Sequence, residues 1–305
     1  MHGEIRLRYL YEAARLGTMR AASDQLNVAT SSISRQIAAL EKELGTRLIE
    51  GGRRKIKLTE AGNAAFAYYQ EMQAHRELFL SRVAELRSVR TGTINLAVGE
   101  AFINDAFSEL LQEFMRRFPG LTVRVKMSGT NDAVALVRDD EAHFGLIFDV
   151  PRDPKVRARL TLSQPLKCIV HPKHELAKHK SVTLAELKPH SIGLPEDAFR
   201  IRQIVREAEQ AEGVFLEPGL IANSMMLLKD FAKCGRGLTF LPEFLVQPQL
   251  SQGKLVAIPI DNPVLSSTRI SLVTRAGRQL PNGVYRLMLR IEAHLKNLIA
   301  STAAQ

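Results

Sequence analysis

At 305 residues the chain is too long for one ordinary core, so two or three compact units are expected. A hydrophobic share of 45% supports a packed interior and excludes global disorder. The 42 Lys and Arg against 32 Asp and Glu leave a formal charge of +10, which favours an anionic partner, nucleic acid before a membrane surface.

In chain order, Leu7, Leu10, Tyr11 and Ala14 form one face of a first helix, closed by Gly17. A second, short helix covers about Arg20 to Leu26, where Ala21 and Ala22 let a neighbour approach closely, and Asn27 then turns the chain. In VATSSISRQIAALEKELG, Ile33, Ile37, Leu40 and Leu44 recur at helical spacing and predict one buried stripe. Successive residues lie about 100° apart around a helix, so Ser31, Arg35, Ala38 and Lys42 fall together opposite that stripe. Thr30 or Ser31 is expected to cap this third helix.

Helix, tight turn, helix is an arrangement that places the front of its last helix in the major groove of DNA. There Thr30, Ser31, Ser32 and Ser34 can bond phosphate or base edges, and Arg35 can grip guanine O6 and N7 in a bidentate pair. The plain alternative is an N-capped surface helix. The residues beyond the helix favour DNA: after Leu48 and Ile49 come Gly51 and Gly52, then Arg53, Arg54 and Lys55, then alternating Ile56, Lys57 and Leu58. This is the pattern of a β-hairpin wing with a basic tip that can lie against phosphates or in a narrow minor groove.

The run from Arg20 to Gly62, with its paired alanines, ISRQI, the LE and ELG ending and the LTEAG close, resembles the DNA-binding region of LysR-type transcriptional regulators. Ser32 and Ile49 depart from the residues usual there. The resemblance implies a winged helix-turn-helix domain over residues 1–62.

From about Ala61 to Val89 there is no Pro and, past Gly62, no Gly. Ala65, Tyr69, Met72, Phe79, Val83 and Leu86 make an apolar seam, interrupted at Arg76, that needs a cover. Packing onto its own domain is one answer and a second chain the other. The resemblance implies the second: residues 63–90 pair two subunits into a homodimer, further paired into a homotetramer.

From Thr91 the chain alternates strands and helices. TINLAV, a helix carrying Phe107 to Phe118, LTVRVKM, a helix from Ala133 to Asp140 and FGLIF spell βαβαβ and a largely parallel sheet. A second series runs from PLKCIV through SIGL, a helix from Phe199 to Glu212, FLEPGLIA, a helix after Asn223, GLTFLP and LVAIPI. Thr268 to Arg275 returns as a strand to the first unit, and a helix from Asn282 to Ile299 ends the chain. The fold class is therefore α/β behind an all-α front end, with lobe I at about 91–164 and 268–305 and lobe II at about 165–267. GTINLAV, RRFPGLTVRV, HFGLIF, HPKHELA and CGRGLTFLP resemble the same family's effector domain, which implies a periplasmic-binding-protein-like pair of lobes over residues 91–305.

Ligands of such sheets sit beyond the carboxyl ends of strands, near helix N-termini. The cleft candidates are Gly99, Glu100 and Ala101; Ser128, Gly129 and Thr130; Phe148 and Asp149; Phe199, Arg200 and Ile201; and Asn223 and Ser224. Glu100 signals a cationic or polyol ligand group, or else pairs with Arg200.

Cys168 and Cys234 fit a reducing cytosol and are expected to be small buried hydrophobes. His171, His174 and His179 match no usual zinc spacing, and no GxSxG, P-loop or HExxH occurs. No metal, cofactor or catalytic activity is expected. No apolar run approaches the roughly 18 residues of a membrane span, so a cytoplasmic regulator that binds double-stranded DNA and a small-molecule effector is the reading. The alternative is a constitutive DNA-binding protein whose C-terminal region serves only assembly.

Overall fold

The computed structural model describes residues 2–50, 55–86, 91–151 and 153–303. These fall into two compact units, the first made of Met1–Ser88 with Arg278–Pro281 and the second of Val89–Gly277 with Asn282–Gln305.

In the first unit, α1 (His2–Arg15), α2 (Met19–Leu26) and α3 (Thr30–Leu44) enclose Leu10, Ala13, Ala22, Ile33, Ile37, Leu40 and Leu48. The Thr18 hydroxyl caps α2 by accepting the Ala21 N–H at 3.1 Å. Asn27 ends the helix in the left-handed region with φ 53°, which its short polar side chain tolerates. Two expectations for α3 need correcting. Ala29 holds the extended N-cap position without a side-chain bond, so Thr30 and Ser31 are helical residues and neither is the cap. Leu44 is 51% exposed because the helix ends there and Gly45 turns the chain away at φ 67°.

Of the expected wing, the base is described. Ile49 pairs with Leu58 in an antiparallel bridge, and the Glu50 N–H reaches the Lys57 carbonyl at 2.9 Å. The Gly51–Gly52 turn, and Arg53 and Arg54 of the expected tip, lie outside the described residues. Glu41 on α3 pins the wing's base: its Oε1 accepts the N–H groups of Leu48 at 2.7 Å and Ile49 at 3.2 Å. Gly62 is required because a Cβ there would run into the Leu48 carbonyl.

Helix α4 (Glu60–Leu86) carries the long seam, and its front half is covered from within. Tyr11 of α1 stacks on Phe66 at 4.6 Å between ring centres and tilts against Tyr69 at 5.1 Å. Tyr69 is consequently 5% exposed, whereas Phe79 and Leu80 further along stand 62% and 55% exposed. A second chain is therefore not needed to bury the first half of the seam.

The second unit holds two five-stranded sheets. The first has the order β2-β1-β3-β10-β4, from β1 (Gly92–Val98), β2 (Leu121–Met127), β3 (Phe144–Phe148), β4 (Val156–Ser163) and β10 (Arg269–Arg275). The second has the order β7-β6-β8-β5-β9, from β5 (Leu166–Val170), β6 (Ile192–Pro195), β7 (Pro218–Ala222), β8 (Leu238–Pro242) and β9 (Val256–Pro259). In each, four strands share one direction and one late or early strand is antiparallel to them: β10 between β3 and β4, β5 between β8 and β9. The chain thus passes between lobes twice, after β4 and after β9. Helices α5 (Asp105–Arg117), α6 (Thr130–Arg138), α8 (Arg200–Glu212), α9 (Met225–Lys233), α10 (Glu243–Ser251) and α12 (Asn282–Ala303) cover the sheets, with single turns α7 (Leu184–Leu187) and α11 (Pro263–Ser266) as connections. FGLIF is buried at every position, as a central strand covered on both faces must be. Strand β4 was not anticipated; VRARLTLS is an edge strand, mostly exposed, although its apolar and polar residues alternate at every position.

Cys168 lies fully buried in β5, and loss of hydration pushes its thiol up to about 12. Cys234, expected to be buried, is exposed, because it closes α9 just before the left-handed Gly235.

Replacing Glu41 by Ala strips the acceptor from two wing-base N–H groups, one of them on the fully buried Leu48. The expected cost is about 1.5–3 kcal/mol, in the range for hydrogen bonds to a charged group. Urea denaturation of the first unit's transition checks this, and an unchanged midpoint refutes the pinning role.

Candidate functional site

Two sites take shape, one in each unit. In the first, the buried stripe Ile33, Ile37 and Leu40 fixes how α3 is turned about its axis. With those residues facing the core, Ser31, Arg35, Ala38 and Lys42 are all exposed on the far side. Thr30 and Ser34 are also exposed, and Ser32 is half-buried beside the core stripe. Among the described residues Arg35 is held only by a long bond from its Nε to the Ser31 carbonyl at 3.3 Å, which leaves its guanidinium available to another partner. Lys55, the described residue of the basic tip, is exposed as well. Small hydroxyls, one guanidinium and one ammonium on a convex ridge make a surface suited to polyanions and base edges, with nothing bulky to block close approach.

In the second unit, a cavity of about 170 Å³ opens between the lobes. Gly99, Glu100, Ala101, Gly129, Thr130, Phe148, Phe199, Arg200 and Asn223 all line it, as do Ser128 and Ile201. Ser224 stands just behind the wall and is tied to it through Glu100. Sequence reasoning missed Phe102, Met127 and Met225, which also line it. Met127 and Met225 each sit one or two positions from a predicted residue, at a strand end and a helix start, so their signal lay in the same topology. Phe102 is in a 3-10 turn that no periodicity marks.

The position of these residues follows from local structure. Gly129, Phe199 and Ser224 are the N-cap residues of α6, α8 and α9, and none caps its helix with its own side chain. Three helix starts without a side-chain cap of their own therefore stand at the cleft, where their first N–H groups need acceptors. At α9 the need is met from the opposite lobe: Glu100 Oε1 accepts the Ser224 hydroxyl at 3.2 Å and the Met225 N–H at 3.0 Å. Glu100 does not pair with Arg200. Arg200 instead gives Nε and Nη2 to Asp149 Oδ2 at 3.0 and 2.7 Å, across the lobes, and Nη1 to Glu207 at 2.7 Å. Burial disfavours the Arg200 cation, but the bonds to Glu207 and Asp149 outweigh it and hold its pKa above the ordinary value. Thr130 spends its hydroxyl on the Phe148 carbonyl at 2.9 Å. Phe102 stacks on Phe244 at 5.2 Å between ring centres. The arrangement can bind a small molecule.

Among the described residues no three His, Cys, Asp or Glu side chains cluster as metal ligands. His174 packs edge-on against His190 at 4.9 Å and its Nδ1 accepts the Leu176 N–H. No helix among the described residues is long and apolar enough to cross a membrane.

Comparison with known proteins bears on both sites. Residues 5–63 match the model described as "Bacterial regulatory helix-turn-helix protein, lysR family", and residues 87–296 match "LysR substrate binding domain". The RuBisCO operon transcriptional regulator of Allochromatium vinosum is 26% identical over 298 residues, which covers 96% of this chain and 97% of that protein. Among solved structures, a full-length OxyR variant from Pseudomonas aeruginosa superimposes with a TM-score of 0.63 at 18% identity, covering 95% of this chain and 94% of that one. Full-length CbnR complexed with its target DNA superimposes with a TM-score of 0.51 at 20% identity, covering 95% of this chain and 99% of that one.

Proposed function

This chain belongs to the LysR family of bacterial transcription regulators, and from that premise we propose how its residues divide the work. The protein is a DNA-binding regulator with an effector-binding domain behind its helix-turn-helix. The division we infer is a winged helix-turn-helix over residues 1–62, a pairing helix over 63–90 and the effector domain over 91–305, its lobes near 91–164 with 268–305 and 165–267. The protein acts in the cytoplasm, where its DNA is.

The observation that carries this reading is the exposed ridge of α3 opposite its buried stripe. Ser31, Ser34 and Arg35 enter the major groove, with Arg35 reading a guanine edge, while Thr30, Ser32 and the wing cations Arg53, Arg54 and Lys55 meet phosphates. Lone hydroxyls discriminate weakly, so most of the sequence preference on this helix falls to Arg35. In the second unit the effector occupies the inter-lobe cavity, against Gly99, Glu100, Ala101, Gly129, Thr130, Phe148, Phe199, Arg200 and Asn223, with Ser224 in support. Because each wall belongs to a different lobe, a ligand that touches both walls shifts the equilibrium between lobe arrangements.

Two recognition helices must be held at a fixed spacing to read a two-fold site. The uncovered half of α4, with Phe79 and Leu80, supplies the apolar surface for a homodimer, and dimers pair again into a homotetramer.

Arg35→Ala is expected to weaken the specific operator by about 1–3 kcal/mol while leaving random DNA nearly unaffected. Titration of the full chain on both DNAs decides it; equal losses on the two make Arg35 a phosphate clamp. Phe79→Glu places a charge in the pairing surface, and sedimentation is expected to show a shift toward monomer at micromolar concentration. An unchanged assembly state refutes the assignment of that face.

A further inference from the structure

Taking the inter-lobe cavity as the effector site, we propose that Glu100 sets the charge of the ligand it admits: a small molecule with an apolar body and a protonated amine head, seated against Glu100 Oε2.

The N-terminus of α9 carries a partial positive charge and N–H groups that seek an acceptor. Its N-cap residue, Ser224, provides no side-chain cap. A ligand carboxylate would be drawn to this seat, but Glu100 Oε1 already fills it, taking both the Ser224 hydroxyl and the Met225 N–H. The protein's own anion thus stands where a ligand anion would go. Oε2 of the same carboxylate has no hydrogen bond among the described residues, and Glu100 lines the cavity.

The charge balance points the same way. The lining residues and their direct partners include the carboxylates of Glu100, Asp149 and Glu207 against the single guanidinium of Arg200. Arg200 has its Nε, Nη1 and Nη2 engaged with those carboxylates, so it offers little to a ligand anion. The starts of α6, α8 and α9 each add about half a positive charge, roughly +1.5 against a side-chain sum of about −2, so the balance stays negative. The α6 and α8 ends are where an acceptor on the ligand's other end is accommodated. Phe102, Met127, Phe148, Phe199, Ile201 and Met225 supply the apolar walls. Within such walls an ammonium needs a carboxylate partner, and a second anion beside Glu100 is repelled.

Three probes of nearly equal shape separate charge from bulk: benzylamine, benzyl alcohol and benzoate, each titrated into the full-length chain by calorimetry and thermal shift. Benzylamine is expected to bind about tenfold or more tighter than benzoate, with benzyl alcohol between, the difference being one desolvated charge pair. Glu100→Gln keeps an acceptor for α9 and removes the charge; it is expected to lose the benzylamine preference without gaining benzoate. Glu100→Ser empties the seat, and benzoate is then expected to raise the melting midpoint. Should the Ser variant not fold, the near-isosteric Gln variant decides. Benzoate binding the wild type as tightly as benzylamine, an unchanged preference in the Gln variant, or no binding by any of the three overturns the proposal. The regulator reading is judged separately, by operator binding of the wild-type chain: its failure leaves the measured ligand preference standing, and a reversed preference leaves DNA reading intact.

Discussion

Burial of Ile33, Ile37 and Leu40 against Leu10, Ala13, Ala22 and Leu48 is the contact on which the DNA-reading account rests. Each such side chain contributes about 1.5–3 kcal/mol relative to exposure. Rolling α3 by a quarter turn would forfeit most of that and bring Arg35 toward an apolar core with no acceptor prepared for it. The orientation of the helix is therefore set before any DNA arrives, and the serine-rich face with its guanidinium is displayed as a consequence. Glu41 then extends the same rigid frame to the wing by holding the N–H groups of Leu48 and Ile49. A single helix thus orders both elements that can meet a duplex.

The effector domain solves a different problem. Its two sheets are each closed by a strand contributed after or before a crossover, so the lobes are separate cores joined by two passages of chain. What links them at the cleft is modest: Arg200 to Asp149, Glu100 to Ser224 and Met225, and the Phe102–Phe244 stack. The polar links are partly exposed to water, and such pairs are worth on the order of 1 kcal/mol each. Contacts of that size can be overtaken by the differential affinity of a small ligand, which is what a responsive hinge requires. Asp149 sits at φ 48°, a backbone state that Asp tolerates better than most residues, and this places its carboxylate within reach of Arg200.

Much of this was legible in the sequence, and the failures have physical causes. Helical spacing in α3 identified which face is buried, because three apolar side chains leave little choice of rotation. The strand–helix alternation located the cavity wall, because strand ends and helix starts meet at one edge of a parallel sheet whatever their side chains. Periodicity was blind to partners across a gap. Glu100 and Arg200 looked like a pair by charge, yet each found a different partner set by lobe geometry. Leu44 carried the right residue type at the right spacing, but lies where the helix has run past its core. Cys234 was misjudged for the same reason, at the end of α9. Strand β4 was missed although VRARLTLS alternates at every position, which leaves Val156, Leu160 and Leu162 half-buried and the polar residues between them exposed. The front of the α4 seam turned out to be covered from within, Tyr69 by Tyr11 and Ala65 by the first unit's core, contacts between elements far apart in sequence.

The central claim is geometric: the outward ridge of α3 lies in a major groove with Arg35 on a guanine. Methylation interference addresses it directly, since a methyl on guanine N7 blocks the acceptor that Arg35 would use. In the wild type, one guanine in each half-site is expected to interfere strongly when methylated, and in the Arg35→Ala variant that interference is expected to vanish while the others persist. An interference pattern that is the same in both proteins would place Arg35 outside the groove and contradict the account.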